Sequence, residues 1–157
     1  MDIPGTEKEY KKELTSILSQ KYSPSEFDIQ KFSHVSQKTH SKMLGTRYEF
    51  VGLMDDRSIT PESLQDSLPE FQKEVKKHLT TWQYTSFQPY LNVVGVTDEI
   101  TTATRDYLSE GPPESHIECP FSIYVVDVKS GGYLEYNWQK FSSEGGDFNE
   151  YIIQPLD

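Results

Sequence analysis

Residues 120–141 read PFSIYVVDVKSGGYLEYNWQKF. Phe121, Ile123 and Val125 share one parity, and Tyr124, Val126 and Val128 the other, which is the two-residue period of a strand. KSGG, residues 129–132, supplies turn chemistry, and residues 133–141 return with Leu134, Tyr136 and Trp138 on one face. Two alternating runs joined by a short glycine-bearing loop predict an antiparallel hairpin.

Working outward, GGD at 145–147 predicts another reversal and FNEYII at 148–153 a last short strand. Upstream, FQPYLNVVGV at 87–96 sets Leu91 and Val93 against Tyr90, Val94 and Val96, a further strand. Residues 97–118 read as irregular, with GPPES at 111–115 a loop on its turn chemistry. Phe71, Val75, His78, Leu79 and Trp82 recur at helical spacing behind Ser67-x-x-Glu70, the pattern of a capping box, so a helix is predicted over 68–83. His78 falls on its apolar stripe and reads as a core-edge histidine. Thr60 before Pro61 and Glu62 predicts a short helical turn ahead of it. Residues 43–54 alternate Tyr48, Phe50 and Met54 against Arg47, Glu49, Val51 and Leu53, and pair as a hairpin with a bulged strand at 26–35 across a polar connection at 36–42. The first helix is expected from Thr6, its N-cap, to about Gln20, with Tyr10, Leu14, Ile17 and Leu18 as its stripe. It must end before Pro24, which biases Ser23 away from helical backbone.

The resulting class is α+β: a mainly antiparallel sheet of about five to six strands in consecutive hairpins, with two principal helices packed on one face. Residues 1–6 are expected as a flexible N-terminal lead and 7–157 as a single domain. The chain of 157 residues is long enough for a core without metal or disulfide staples. Its single cysteine, Cys119, permits no internal disulfide. No apolar run approaches the length of a bilayer span, and MDIPGTEKEYKKEL has no apolar signal core. A cytoplasmic protein is expected, with the nucleus left open, and no membrane association.

The net charge is −10, unevenly placed. Residues 1–54 carry eight bases and seven acids, whereas residues 96–157 carry three bases and twelve acids. An anionic surface repels phosphate backbones and speeds encounter with basic partners. The stretch from Lys31 through Lys38, Lys42 and Arg47, with His34 and His40 beside Tyr48 and Phe50, is the one segment suited to single-stranded nucleic acid. The overall field opposes that use, so nucleic acid is not the expected partner.

The motifs of common chemistries are missing. No phosphate loop occurs, and the glycine pairs 131–132 and 145–146 sit in hairpin turns ahead of strands. His116-Ile-Glu-Cys119 has Glu114 and Glu118 beside it but lacks the ligand count of a zinc site. Paired carboxylates such as Asp55–Asp56 lie in hydrophilic stretches, where nothing drives their pKa values apart. No catalytic residue, cofactor or metal is assigned.

The expectation is a non-enzymatic protein-binding domain, an inhibitor, immunity-type protein or adaptor subunit, that engages a basic partner through its acidic C-terminal half. The residues assigned to that contact are Asp98, Glu99, Asp106, Glu110, Glu114 and Glu118, with Tyr136 and Trp138 as aromatic anchors. A homo-oligomer is a further option. The alternative is a small-molecule-binding or enzymatic curved-sheet domain with a pocket between helix 68–83 and the sheet, using His78, Trp82 and Tyr124.

Overall fold

The computed structural model describes residues 6–25, 31–42, 45–55, 59–86, 88–111 and 117–138. The expected strand at 148–153 and the turn at 145–147 lie outside them, as does Glu114. The chain runs α1 (Glu7–Lys21), β1 (Ser23–Pro24), β2 (Phe32–Lys42), β3 (Gly45–Met54), α2 (Pro61–His78), α3 (Thr81–Ser86), β4 (Tyr90–Thr97), α4 (Thr102–Glu110), β5 (Phe121–Asp127) and β6 (Gly132–Trp138). Among the described residues, the class is α+β, with one six-stranded, mostly antiparallel sheet in the order β1-β2-β3-β4-β5-β6 and four helices.

The expected consecutive hairpins form at the edges and give way at the centre. β2 pairs antiparallel with β3, and β5 with β6, as the alternation indicates. β4 instead lies parallel to both β3 and β5. α2 and α3 make the crossover from β3 to β4, and α4 makes the one from β4 to β5. Strands in such a position are covered on both faces, so both parities are apolar. Every residue of β4 is buried, which is why its sequence gives no sign of a solvent face.

The helices do not share one face. Leu64, Leu68, Phe71 and Val75 of α2 pack with Leu108 of α4 on Phe50, Leu91, Val93, Phe121 and Ile123. Tyr10, Leu14 and Leu18 of α1 pack on the opposite parity, against Val51, Leu53, Val94, Val96, Tyr124 and Val126. Two layers of apolar side chains therefore sandwich the sheet, and Tyr124 and Tyr136 point into different ones. Crossovers that step in the same direction and keep one hand place their helices on the same side, which leaves the other face to α1.

Local signals explain the boundaries. Thr6 caps α1, its side chain accepting from the Glu9 N–H at 3.1 Å. The helix predicted at 68–83 begins earlier, at Pro61, and ends at His78. Thr60 and Ser63 form the capping box, the Ser63 N–H donating to Thr60 Oγ1 at 3.1 Å and the Thr60 N–H to Ser63 Oγ at 2.9 Å. Ser67, read as a cap, sits inside α2 and donates to Ser63 O. The polar segment 36–42 is strand, paired residue by residue from Ser36↔Val51 to Lys42↔Gly45. α4 occupies part of the stretch read as irregular, because its inward face is only Thr104 and Leu108. Gly52 faces the rings of Phe32 and Phe71, both 2.9 Å from where a Cβ would stand, so only glycine lets α2 approach β3 this closely.

Candidate functional site

Parallel β3, β4 and β5 end at one rim of the sheet. Two clefts lie there. The first, of about 430 Å3, is lined by Asp98, Glu99, Ile100, Asp127, Lys129 and Ser130. Its walls are held by backbone contacts. Thr97 Oγ1 accepts the Glu99 N–H at 3.2 Å and donates to Glu99 O at 3.0 Å. Asp127 Oδ1 accepts the N–H groups of Lys129 at 2.9 Å and Ser130 at 3.1 Å, and Gly131 takes φ +82 to close the turn into β6.

The second cleft, of about 560 Å3, lies between α1 and the adjoining ends of β2 and β3. Lys8, Lys11, Lys12 and Thr15 line it from α1, Ser33 and His34 from β2, and Leu53 and Asp55 from the end of β3. Glu7 completes it. Burial holds the His34 imidazole below the usual histidine range, and its Nε2 lies 2.6 Å from Ser36 Oγ. No ion pair within 4 Å engages Lys8, Lys11, Lys12, Asp98 or Glu99 among the described residues.

The residues assigned from sequence divide between these places. Asp98 and Glu99 line the acidic cleft, and Asp106 and Glu110 are exposed on the helix that follows it. Glu118 stands at the opposite rim, ahead of β5, paired with Lys76 at 3.6 Å and accepting from Tyr84 Oη at 3.1 Å. Tyr136 and Trp138 lie half-buried on the α2 face, against Phe121 at 6.0 and 5.7 Å between ring centroids. They therefore stand apart from the cleft. Asp127 belongs to the cleft and went unassigned because KSGG reads only as a turn; the Asp two residues ahead of Lys129 is the signal that was there to use.

His78, Trp82 and Tyr124 do not converge. His78 is exposed at the end of α2 rather than at the core edge, Trp82 is 73% exposed on α3, and Tyr124 is buried on the α1 face.

A third feature appears only in the structure. Beyond the end of α1 that carries Tyr22, the same face of the sheet turns polar. Glu49, with no exposed surface, accepts from Tyr22 Oη at 3.0 Å and His40 Nε2 at 3.0 Å on Oε1, and from Asn92 Nδ2 at 2.9 Å on Oε2. Asn92 also donates to Phe50 O at 3.1 Å. The neighbouring strands add Tyr90, Ser122 and Asn137, joined by hydroxyl hydrogen bonds, and the Arg47 guanidinium lies 5.3 Å over the Tyr90 ring. A buried carboxylate is tolerated when donors surround it. Three donors on one carboxylate make this network a brace that ties α1, β2, β3 and β4 together.

The Cys119 thiol is buried, and burial pushes its pKa up to about 11 while Tyr84 Oη approaches its sulfur at 3.1 Å. That is the environment of an inert thiol. Among the described residues no group of three or more His, Cys, Asp or Glu side chains is placed to hold a metal ion, and no helix is long and apolar enough to cross a membrane. Comparison with known protein families, curated proteins and solved structures finds no match to this chain.

Proposed function

We propose that this chain is a protein-binding domain that takes a basic partner on the acidic rim at the carboxyl ends of β4 and β5. The observation that carries the reading is the placement of Asp98, Glu99 and Asp127 around one cleft of about 430 Å3, with Asp106 and Glu110 exposed on the adjoining α4. Asp98 and Glu99 enter no ion pair among the described residues, so their field is directed at solvent. Rigid strand ends hold the first acids of the patch, which lowers the ordering cost of binding. Clustered like charge steers an oppositely charged partner and raises its association rate at low salt. Tyr136 and Trp138 pair with Ile123 and Phe121, away from the carboxyl end of β5, and take no part in this contact.

The test is capture from native lysate with the wild-type chain and with the D98K/E99K/D106K variant, followed by binding kinetics on the recovered protein. The expected result is a basic partner that the variant fails to retain, with association slowed at least roughly tenfold at low salt and a flatter salt dependence. A partner held equally by both chains, at salt-independent rates, overturns the reading.

A further inference from the structure

The acidic cleft and the lysine cleft open on the same rim. α1 runs against the direction of β3–β5: Tyr22, just past its end, reaches Glu49, while Glu7, Lys8 and Lys11 near its start stand beside Leu53 and Asp55 at the end of β3. The acidic cleft lies at the ends of β4 and β5, the next strands in the sheet. One edge of the molecule thus presents opposite charges side by side. Lys8, Lys11 and Lys12 on one side and Asp98 and Glu99 on the other enter no ion pair among the described residues.

We infer that the basic surface received by the acidic cleft is the lysine cleft of a second copy of this chain, in a two-fold dimer formed rim to rim. This rests on the reading of the acidic rim as a binding surface and names its partner. A two-fold axis brings each patch of one copy onto the other patch of its mate, so a surface carrying both signs is self-complementary and the contact closes at two subunits. The minority charges match as well. Lys129 in the acidic cleft meets the side that carries Glu7 and Asp55. The net charge of −10 on each copy opposes association at a distance. At physiological salt the screening length is about 8 Å, so remote charges fade while pairs in contact persist.

The experiment is sedimentation of the purified full chain, of K8E/K11E/K12E, of D98K/E99K and of an equimolar mixture of the two variants, at physiological and at molar salt. The wild type is expected to dimerise at physiological salt and to dissociate at molar salt. Each variant alone is expected to weaken self-association at least roughly tenfold. The mixture is expected to restore a 1:1 complex, because one variant then carries only acidic clefts and the other only basic ones. D98K/E99K separates contact from bulk repulsion. It reduces the net charge from −10 to about −6, so repulsion alone predicts tighter association and the contact predicts weaker. A wild-type chain that stays monomeric, a D98K/E99K variant that dimerises as well as wild type, or a mixture that forms no complex overturns the inference. A monomeric wild type that still loses a captured basic protein on D98K/E99K/D106K substitution would remove the dimer and leave the acidic rim as a binding surface.

Discussion

The Tyr22 hydroxyl donates to the buried Glu49 carboxylate at 3.0 Å, joining the residue after α1 to the middle of β3 across 27 positions of sequence. His40 and Asn92 donate to the same carboxylate, so removing it takes one acceptor from each of three donors. An unsatisfied buried polar group costs about 1–3 kcal/mol. Glu49→Ala is therefore expected to lower stability by about 2–3 kcal/mol in urea unfolding. Tyr22→Phe, which deletes one donor and keeps the ring, is expected to cost about 1 kcal/mol. Glu49→Gln, which keeps one acceptor, should fall between them. An alanine variant as stable as wild type would show that the network contributes nothing.

Glycines 52 and 95 are both closely packed, and the neighbours decide how costly a methyl group is. At Gly52 the new Cβ would meet the rings of Phe32 and Phe71 at 2.9 Å, two rigid groups that also pack on each other. At Gly95 it would meet one side chain, buried Ile59, at Cδ1 (2.9 Å), Cγ1 (3.1 Å) and Cγ2 (3.3 Å). Overpacking a close-packed core costs about 1–3 kcal/mol. Gly52→Ala should lie at the upper end of that range and Gly95→Ala below it, because one side chain has to give instead of two rings, compared by midpoint shifts at constant m-value. Equal losses would mean that the α2 layer yields as easily as one isoleucine.

How far the sequence discloses this molecule depends on which residues face water. The β5–β6 hairpin was legible because β6 alternates between a packed and a more open face: Leu134, Tyr136 and Trp138 turn toward the core, whereas Glu135 and Asn137 are exposed. α1 was legible because Thr6 and the Tyr10, Leu14 and Leu18 stripe agree with each other. The parallel pairing of β4 was not, since a strand buried on both faces carries no record of its neighbours' direction. The second helical layer was missed for the same reason: Val94, Val96 and Val126 were readable as apolar, but nothing local says that α1 covers them. The exposure of Asp98 and Glu99 could be read from charge alone, because acids stay where solvent reaches them. Glu49 could not, since its role exists only when Tyr22, His40 and Asn92 converge from three other parts of the chain.

Pro69 lies well inside α2, eight residues past its first. It removes one backbone donor and displaces the carbonyl of Gln65, a penalty of about 3 kcal/mol in a helix interior. The helix persists because Leu68 and Phe71 on either side are buried against the sheet. Pro69→Ala is expected to stabilise the protein by about 1–3 kcal/mol, since Pro69 itself is only half-buried and alanine restores the hydrogen bond. Thermal unfolding of the purified variant checks this. A lowered midpoint would show that the proline ring fills space that alanine leaves empty.

Burial pushes the phenols of Tyr10 and Tyr124 well above the ordinary tyrosine value near 10. It raises Tyr107 to about 12 and the Cys119 thiol to about 11. These groups stay protonated in the fold and ionise in the unfolded chain, so above their ordinary values the unfolded state binds fewer protons and stability falls as pH rises. Their contribution is complete below about pH 8.5 for the thiol and pH 10 for the phenols, and it is lost on climbing toward the folded values. For Tyr10 and Tyr124, both buried, the loss is about 1 kcal/mol each between pH 10 and 11, or about 2 kcal/mol together, and it steepens toward about 1.4 kcal/mol per pH unit each above that. Tyrosinate absorbance and circular dichroism recorded together should show the buried phenols ionising in one cooperative step that coincides with loss of helix. The same burial predicts that Cys119 fails to react with a thiol reagent at pH 8 until the chain is denatured. Smooth ionisation of every tyrosine near pH 10 with the helices intact would mean that water reaches the α1 layer, and that Tyr10 and Tyr124 do not titrate as buried groups.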